Sequence, residues 1–311
     1  GSVDIESGSS AEGVSGGVTL GTASGAHGSG TIVFSTGEAA EFTSGQIHMT
    51  TGVSGISSGN INMATGNSNS SAGDVVVTGG ASSDADGGSV LFSGGRGREA
   101  GGSVILTAGA GTENGQAGEV SLNSGSTKDG NGGAFSITAG TSALGVGGAI
   151  SLTSGSSIAR GSGSVNLQSA DSVGSGPSGA IMLKTGTASL SNTGSIELMT
   201  GSSSVASGGR FAIVAGTSAA GDGAQVFVRG GDTSSLSASG GQVVVRAGDG
   251  TNTDAADGGS GGSVVVQAGA GHGLSRGNVG GSISIVGGDS ALGDGGGIGL
   301  MTGQSAQGSS G

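Results

Sequence analysis

Residues 102–109 read Gly-Ser-Val-Ile-Leu-Thr-Ala-Gly, and they define an eight-place template: glycine, variable, apolar, variable, apolar, variable, small, glycine. In an extended chain side chains alternate between faces, so Val104 and Leu106, at places three and five, share one face. Ile105 and Thr107, at places four and six, point the other way. The bracketing glycines mark points where the chain turns with backbone angles that other residues resist.

The template returns from one end of the chain to the other. Place three is filled by Val3, Val18, Ile32 and so on to Ile283 and Ile298, twenty copies at a mean spacing of about 15.5 residues. Place five is apolar in every copy, from Ile5 to Leu300. Place seven is always Ser, Thr, Ala or Gly, and place eight is Gly except at Ala23 and Ala170. A unit with two apolar residues cannot bury them alone, so the pattern predicts neighbouring copies stacked into two apolar ladders. Glycine density and the two-residue period argue against helix. The expected fold is all-β: a single elongated β-solenoid of about twenty 15-residue coils, flattened and two-sided, with a Val/Leu strand against a return arc of small residues.

One continuous array is expected over 1–311. Intervals stay between 14 and 16 residues until the sixteenth copy, then run 17, 21 and 19 before returning to 15. The extra residues fall at about 231–241, 248–262 and 269–281, which predicts longer protruding loops. The chain opens at Gly1-Ser2-Val3, already inside the template, and closes in a return segment from Gln304. Those ends suit a piece of a longer array, or a subunit that stacks end to end.

Composition narrows the function classes. Glycine supplies 77 of 311 residues and aromatics 2%, too little bulk for a thick core. Apolar residues still make up 32%, and their periodic placement argues against a disordered Gly/Ser linker. The formal charge of −12 opposes nucleic-acid binding and docking on anionic membranes. Apolar runs are far too short for membrane insertion. Without cysteine, neither disulfides nor thiolate metal sites can staple the fold.

Tandem units such as 148–157, Gly-Ala-Ile-Ser-Leu-Thr-Ser-Gly-Ser-Ser, carry a resemblance. The chain resembles the Gly/Ser/Thr-rich short-coil β-solenoid repeat proteins predicted on the cell surfaces of diatoms and related algae. In coil length it is also similar to insect ice-binding solenoids, though it lacks their disulfides and their unbroken Thr-x-Thr array. The resemblance implies an extracellular or cell-surface protein, structural or adhesive in role, with no catalytic residue to carry over.

Specificity is expected away from the repeated places. Val76, Leu91 and Ile105 fill place four in three consecutive copies, as do Phe227, Val244 and Val265 farther along. Exposed apolar ladders of this kind mark contacts with another chain, here self-association into a filament or lateral bundle. A competing use of the same face is an ice surface or polysaccharide matrix, with Thr107, Thr138, Ser151 and Thr153 as the hydroxyl-bearing positions. Lys184, Arg229 and Arg246 at place six interrupt that lattice.

In the longest insertion, Asp249, Asn252, Asp254 and Asp257 offer alternating oxygens, as a calcium-assisted adhesin would use. The same residues are ordinary turn formers, and no metal ligand or cofactor is assigned to them. His27, His48 and His272 lie in different copies, and no serine has a partner triad, so no catalytic residue is expected. Asn69-Ser70-Ser71 is a sequon, meaningful for a secreted chain. The function expected is therefore an extracellular structural rod or filament without catalytic activity; the alternative is a surface-binding module.

Overall fold

The computed structural model describes residues 1–112, 115–254, 256–305 and 309. Ala255, inside the 248–262 loop, and residues 306–308, 310 and 311 of the last return segment lie outside the described residues. The chain divides into two compact units, Gly1–Leu152 and Thr153–Gly311, and the division falls within the eleventh copy of the template. The first unit holds copies one to ten. The second holds copies twelve to twenty and all three long arcs.

The expected β-solenoid is not present. Among the described residues there is no strand and no helix. None of the fifteen backbone–backbone hydrogen bonds found there joins places two to six of one copy to those of the next. A folded domain carries about one hydrogen bond per residue, mostly in such ladders. The physical reason lies in what the pattern encodes. Alternation determines which side chains share a face, a property of one extended segment, whereas a ladder needs the amides of two segments within hydrogen-bonding range. Glycine-rich copies lose much conformational freedom when ordered, and their Ser, Ala and Thr side chains bury little apolar area in return.

Surface area makes the same point. The chain exposes 30458 Å². For its mass of 28.3 kDa, a globular protein would expose about 11,000 Å² and a fully unfolded chain about 41,000 Å². No apolar side chain is buried among the described residues, and those at places three and five are between 43% and 89% exposed.

What the chain does form is a series of closed arcs. The N–H at place one of a copy donates to the place-eight carbonyl of the copy before it, as from Gly16 to Gly8, Gly118 to Gly109, Gly148 to Gly140 and Gly163 to Gly155. Twelve of the fifteen backbone bonds have this form. The long arcs close in the same way, through Gly241 to Gly231, Gly262 to Gly248 and Gly281 to Gly269. The segments 231–241, 248–262 and 269–281 are each bounded by one such bond.

Closure follows place seven in the alanine, glycine and threonine copies; of the serine copies, the arcs after Ser7, Ser124 and Ser154 close and the arc after Ser169 does not. Every copy with Ala there (Ala108, Ala139, Ala215, Ala247, Ala268) is closed, as is every copy with Gly (Gly79, Gly94, Gly230, Gly287). None of the six followed arcs with Thr there (Thr22, Thr36, Thr51, Thr65, Thr185, Thr200) shows the bond. Length does not explain the difference, because 37–45 is open while 8–16 and 125–133, with the same residue count, are closed. The cause is steric. A place-one glycine packs directly against the place-seven side chain: a methyl on Gly148 would stand 3.3 Å from Ala139 Cβ. In the threonine copies the γ-methyl occupies that approach, as Thr22 Cγ2 does over Gly30, and the amide no longer reaches the carbonyl. The described residues that escape full exposure, from Ser7 to Gly287, all occupy place seven.

Candidate functional site

The return arcs are built by local chemistry. Two residues past place eight stands a Ser or Thr in most copies, and its hydroxyl oxygen accepts an N–H two or three residues on. Ser10 accepts from Gly13 at 2.9 Å, Ser82 from Ala85 at 3.0 Å, Ser142 from Gly145 at 2.8 Å and Ser290 from Gly293 at 2.9 Å. Where this place is glycine, as at Gly25, Gly97 and Gly271, a Cβ would collide with a backbone carbonyl across the arc. Sequence reading registered small residues there and missed the turn; the signal was a hydroxyl at a constant offset from place eight.

The longest arc shows what its acidic residues do. Arg246, at place six, holds Asp249 at 2.6 Å, and Arg229 holds Asp232 by both carboxylate oxygens at 2.6 and 2.7 Å. The two ion pairs are exposed and repeat one relation: place six reaches the first residue of the following arc. Asn252 Oδ1 accepts the N–H of Asp254 at 2.9 Å. Asp254 Oδ1 accepts from Asp257 at 3.0 Å and Ala256 at 2.9 Å, and these bonds hold its carboxyl below the usual aspartate value. Of the four calcium candidates, Asp249, Asn252 and Asp254 have side-chain oxygens committed to an arginine or to turns; the Asp257 backbone is part of the same turn. No group of three or more acidic or histidine side chains that could hold a metal forms among the described residues.

Places three and four differ in exposure in the copies that carry the apolar place-four residues. In copies six to eight, Val75, Val90 and Val104 at place three are 45–57% exposed, whereas Val76, Leu91 and Ile105 at place four are 77–85% exposed. In copies sixteen to eighteen, place three is 52–55% exposed, against 71–80% for Phe227, Val244 and Val265. Side chains two apart meet on the outer face: Asn123 donates to Ser121 at 2.8 Å, and Ser195 donates to Glu197 at 3.3 Å. Places two, four and six therefore share a face, as alternation requires. The six apolar residues singled out by sequence are each exposed, three in each unit.

Thr107, Thr138, Ser151 and Thr153 are exposed on the same face. His27, His48 and His272 are also exposed. His48 helps line a shallow apolar hollow with Phe34, Ile47 and Met49, where consecutive copies adjoin. No described helix is long and apolar enough to cross a membrane. Compared with family models, with curated proteins and with solved structures, the chain matches none.

Proposed function

We propose that this chain is a structural subunit that covers its apolar residues by associating with further copies of itself, and that it carries no catalytic machinery. One observation supports this above the others. Forty apolar positions recur in register at places three and five, yet none is buried within the single chain. Exposed apolar surface on that scale is the signature of an interaction surface. Periodic placement makes successive contacts equivalent, and equivalent contacts that do not close on themselves generate filaments. The resemblance of the units to algal surface repeats supports an extracellular, cell-surface setting.

Sedimentation velocity over a concentration series, with micrographs of the same samples, tests the reading. Assemblies should grow with concentration while binding of a hydrophobic dye per chain falls. A single monomeric species at every concentration, with dye binding unchanged, overturns it.

A further inference from the structure

Two Asn-Gly pairs occur in the chain, Asn114-Gly115 and Asn131-Gly132. Glycine after asparagine matters chemically, because no side chain then hinders attack of the backbone nitrogen on the asparagine amide carbon. The other nine asparagines precede residues that carry side chains, from Ile61 to Val279. The two glycine amides differ. Gly115 donates its N–H to the Thr112 carbonyl at 3.0 Å. Among the described residues the Gly132 N–H has no hydrogen-bond partner, and neither has the exposed Asn131 side chain. The amides on either side are engaged: Gly130 N–H by Thr127 Oγ1 at 3.3 Å, and Gly133 N–H by the Gly125 carbonyl at 2.9 Å. An engaged amide gives up its proton only when its bond opens. Gly132 carries no such restraint.

We propose that Asn131 is a self-modifying site, which the free Gly132 amide converts to isoaspartate or aspartate in water. The Gly132 nitrogen loses its proton to solvent base and attacks Asn131 Cγ. A C–N bond forms, the Cγ–Nδ2 bond breaks, and the side-chain amide leaves as ammonia, taking up a proton equivalent to the one released. The product is a five-membered imide, which water opens. Hydrolysis at the Cγ carbonyl gives aspartate. Hydrolysis at the main-chain carbonyl gives isoaspartate, whose main chain runs through Cβ and Cγ. The chemistry needs no partner chain, enzyme or cofactor. Either product adds a carboxylate to a chain already at −12. Isoaspartate also lengthens the main chain by one atom inside the arc 125–133, two residues before the closing amide of Gly133. That extra atom displaces Gly133 from the Gly125 carbonyl, so the modification loosens the arc.

The test ages the full-length chain in mildly alkaline buffer, with and without urea. Trypsin cuts after Arg98, Lys128 and Arg160, which puts Asn114 and Asn131 on separate peptides. Without urea, isoaspartate and the mass gain of amide to acid should build up at Asn131 about fivefold faster than at Asn114, the factor that one net backbone hydrogen bond withholds. In urea, where that bond is lost, the two rates should converge. Gly132→Ala should slow reaction at residue 131 to the level of the other asparagines; its methyl would meet nothing closer than the Gly125 carbonyl oxygen at 3.9 Å. In the aged chain, amide exchange at Gly133 should be faster than in the fresh one. Equal rates at the two pairs without urea, or a difference that survives in urea, would overturn the assignment. So would an unchanged rate in the Gly132→Ala chain. Unchanged exchange at Gly133 would overturn the effect on the arc.

Discussion

Ala139 sits against Gly148 so closely that a methyl on the glycine would stand 3.3 Å from Ala139 Cβ, and the Gly148 N–H donates to the Gly140 carbonyl at 2.8 Å. This small-residue contact is the recurring joint of the chain. Ala139→Thr should open the arc by bringing a γ-methyl to the approach that threonine occupies in the open copies. A lost backbone bond of about 1 kcal/mol corresponds to about fivefold faster amide exchange at Gly148. Conversely, Thr51→Ala should close 52–59 and slow exchange at Gly59. Unchanged exchange at both amides would show that place seven does not control closure.

Ser142 illustrates the turn within the arc. Ser142→Ala removes the acceptor for the Gly145 N–H, and exchange at that amide should rise by a factor of a few, consistent with a net bond of about 0.5–1.5 kcal/mol. Ser142→Asp keeps an acceptor and should stay near wild type. Equal behaviour of the two variants would remove the hydroxyl's role.

The 248–262 loop should respond to acid. The N–H groups of Asp257 and Ala256 hold the Asp254 carboxyl below its ordinary pKa. For a depressed carboxyl, the stabilisation is fully present above the ordinary aspartate value and is lost as pH falls through the lowered one. Amide chemical shifts of Ala256 and Asp257 should stay constant from neutral pH down to the aspartate range and move below it. Asp254→Asn should abolish that step. A transition centred at or above the ordinary aspartate value would contradict the geometry.

Asp249 Oδ2 is bonded to Arg246 and Asp254 Oδ1 to the turn, so a cation would compete for both oxygens. Millimolar calcium should leave the amide spectrum of 249–257 unchanged, and a chelator should do nothing further. Because the ion pair is exposed, Asp249→Asn should alter thermal stability by less than about 1 kcal/mol. Saturable calcium shifts at Asn252 and Asp254 would reverse this assignment.

Much of the local organisation was legible in the sequence. Recurrence of Val, Ile or Phe at place three, and of glycine at place eight in all but two copies, marked the template copies and the longer intervals, including 248–262. The exposure difference between Val90 and Leu91 matches the face assignments that alternation implies. Strand pairing was not legible. Val104 and Val120 sit one period apart in sequence, but that spacing carries no information on whether their backbones hydrogen-bond, and they do not. The calcium candidates were likewise ambiguous, because Asp and Asn oxygens serve turns and cations with the same chemistry. The turn bonds of Asn252 and Asp254 and the pairing of Asp249 with Arg246 became visible only in three dimensions.

Periodicity, face and the positions of the arcs are properties of the sequence itself, because bond geometry fixes side-chain alternation and turn chemistry acts over a few residues. Which arcs close, which oxygens are occupied, and whether neighbouring copies pair into a sheet were decided only in three dimensions. Each depends on distances between groups that the covalent chain does not hold together. At place seven, alanine goes with closed arcs, and threonine, which adds a methyl and a hydroxyl, with open ones.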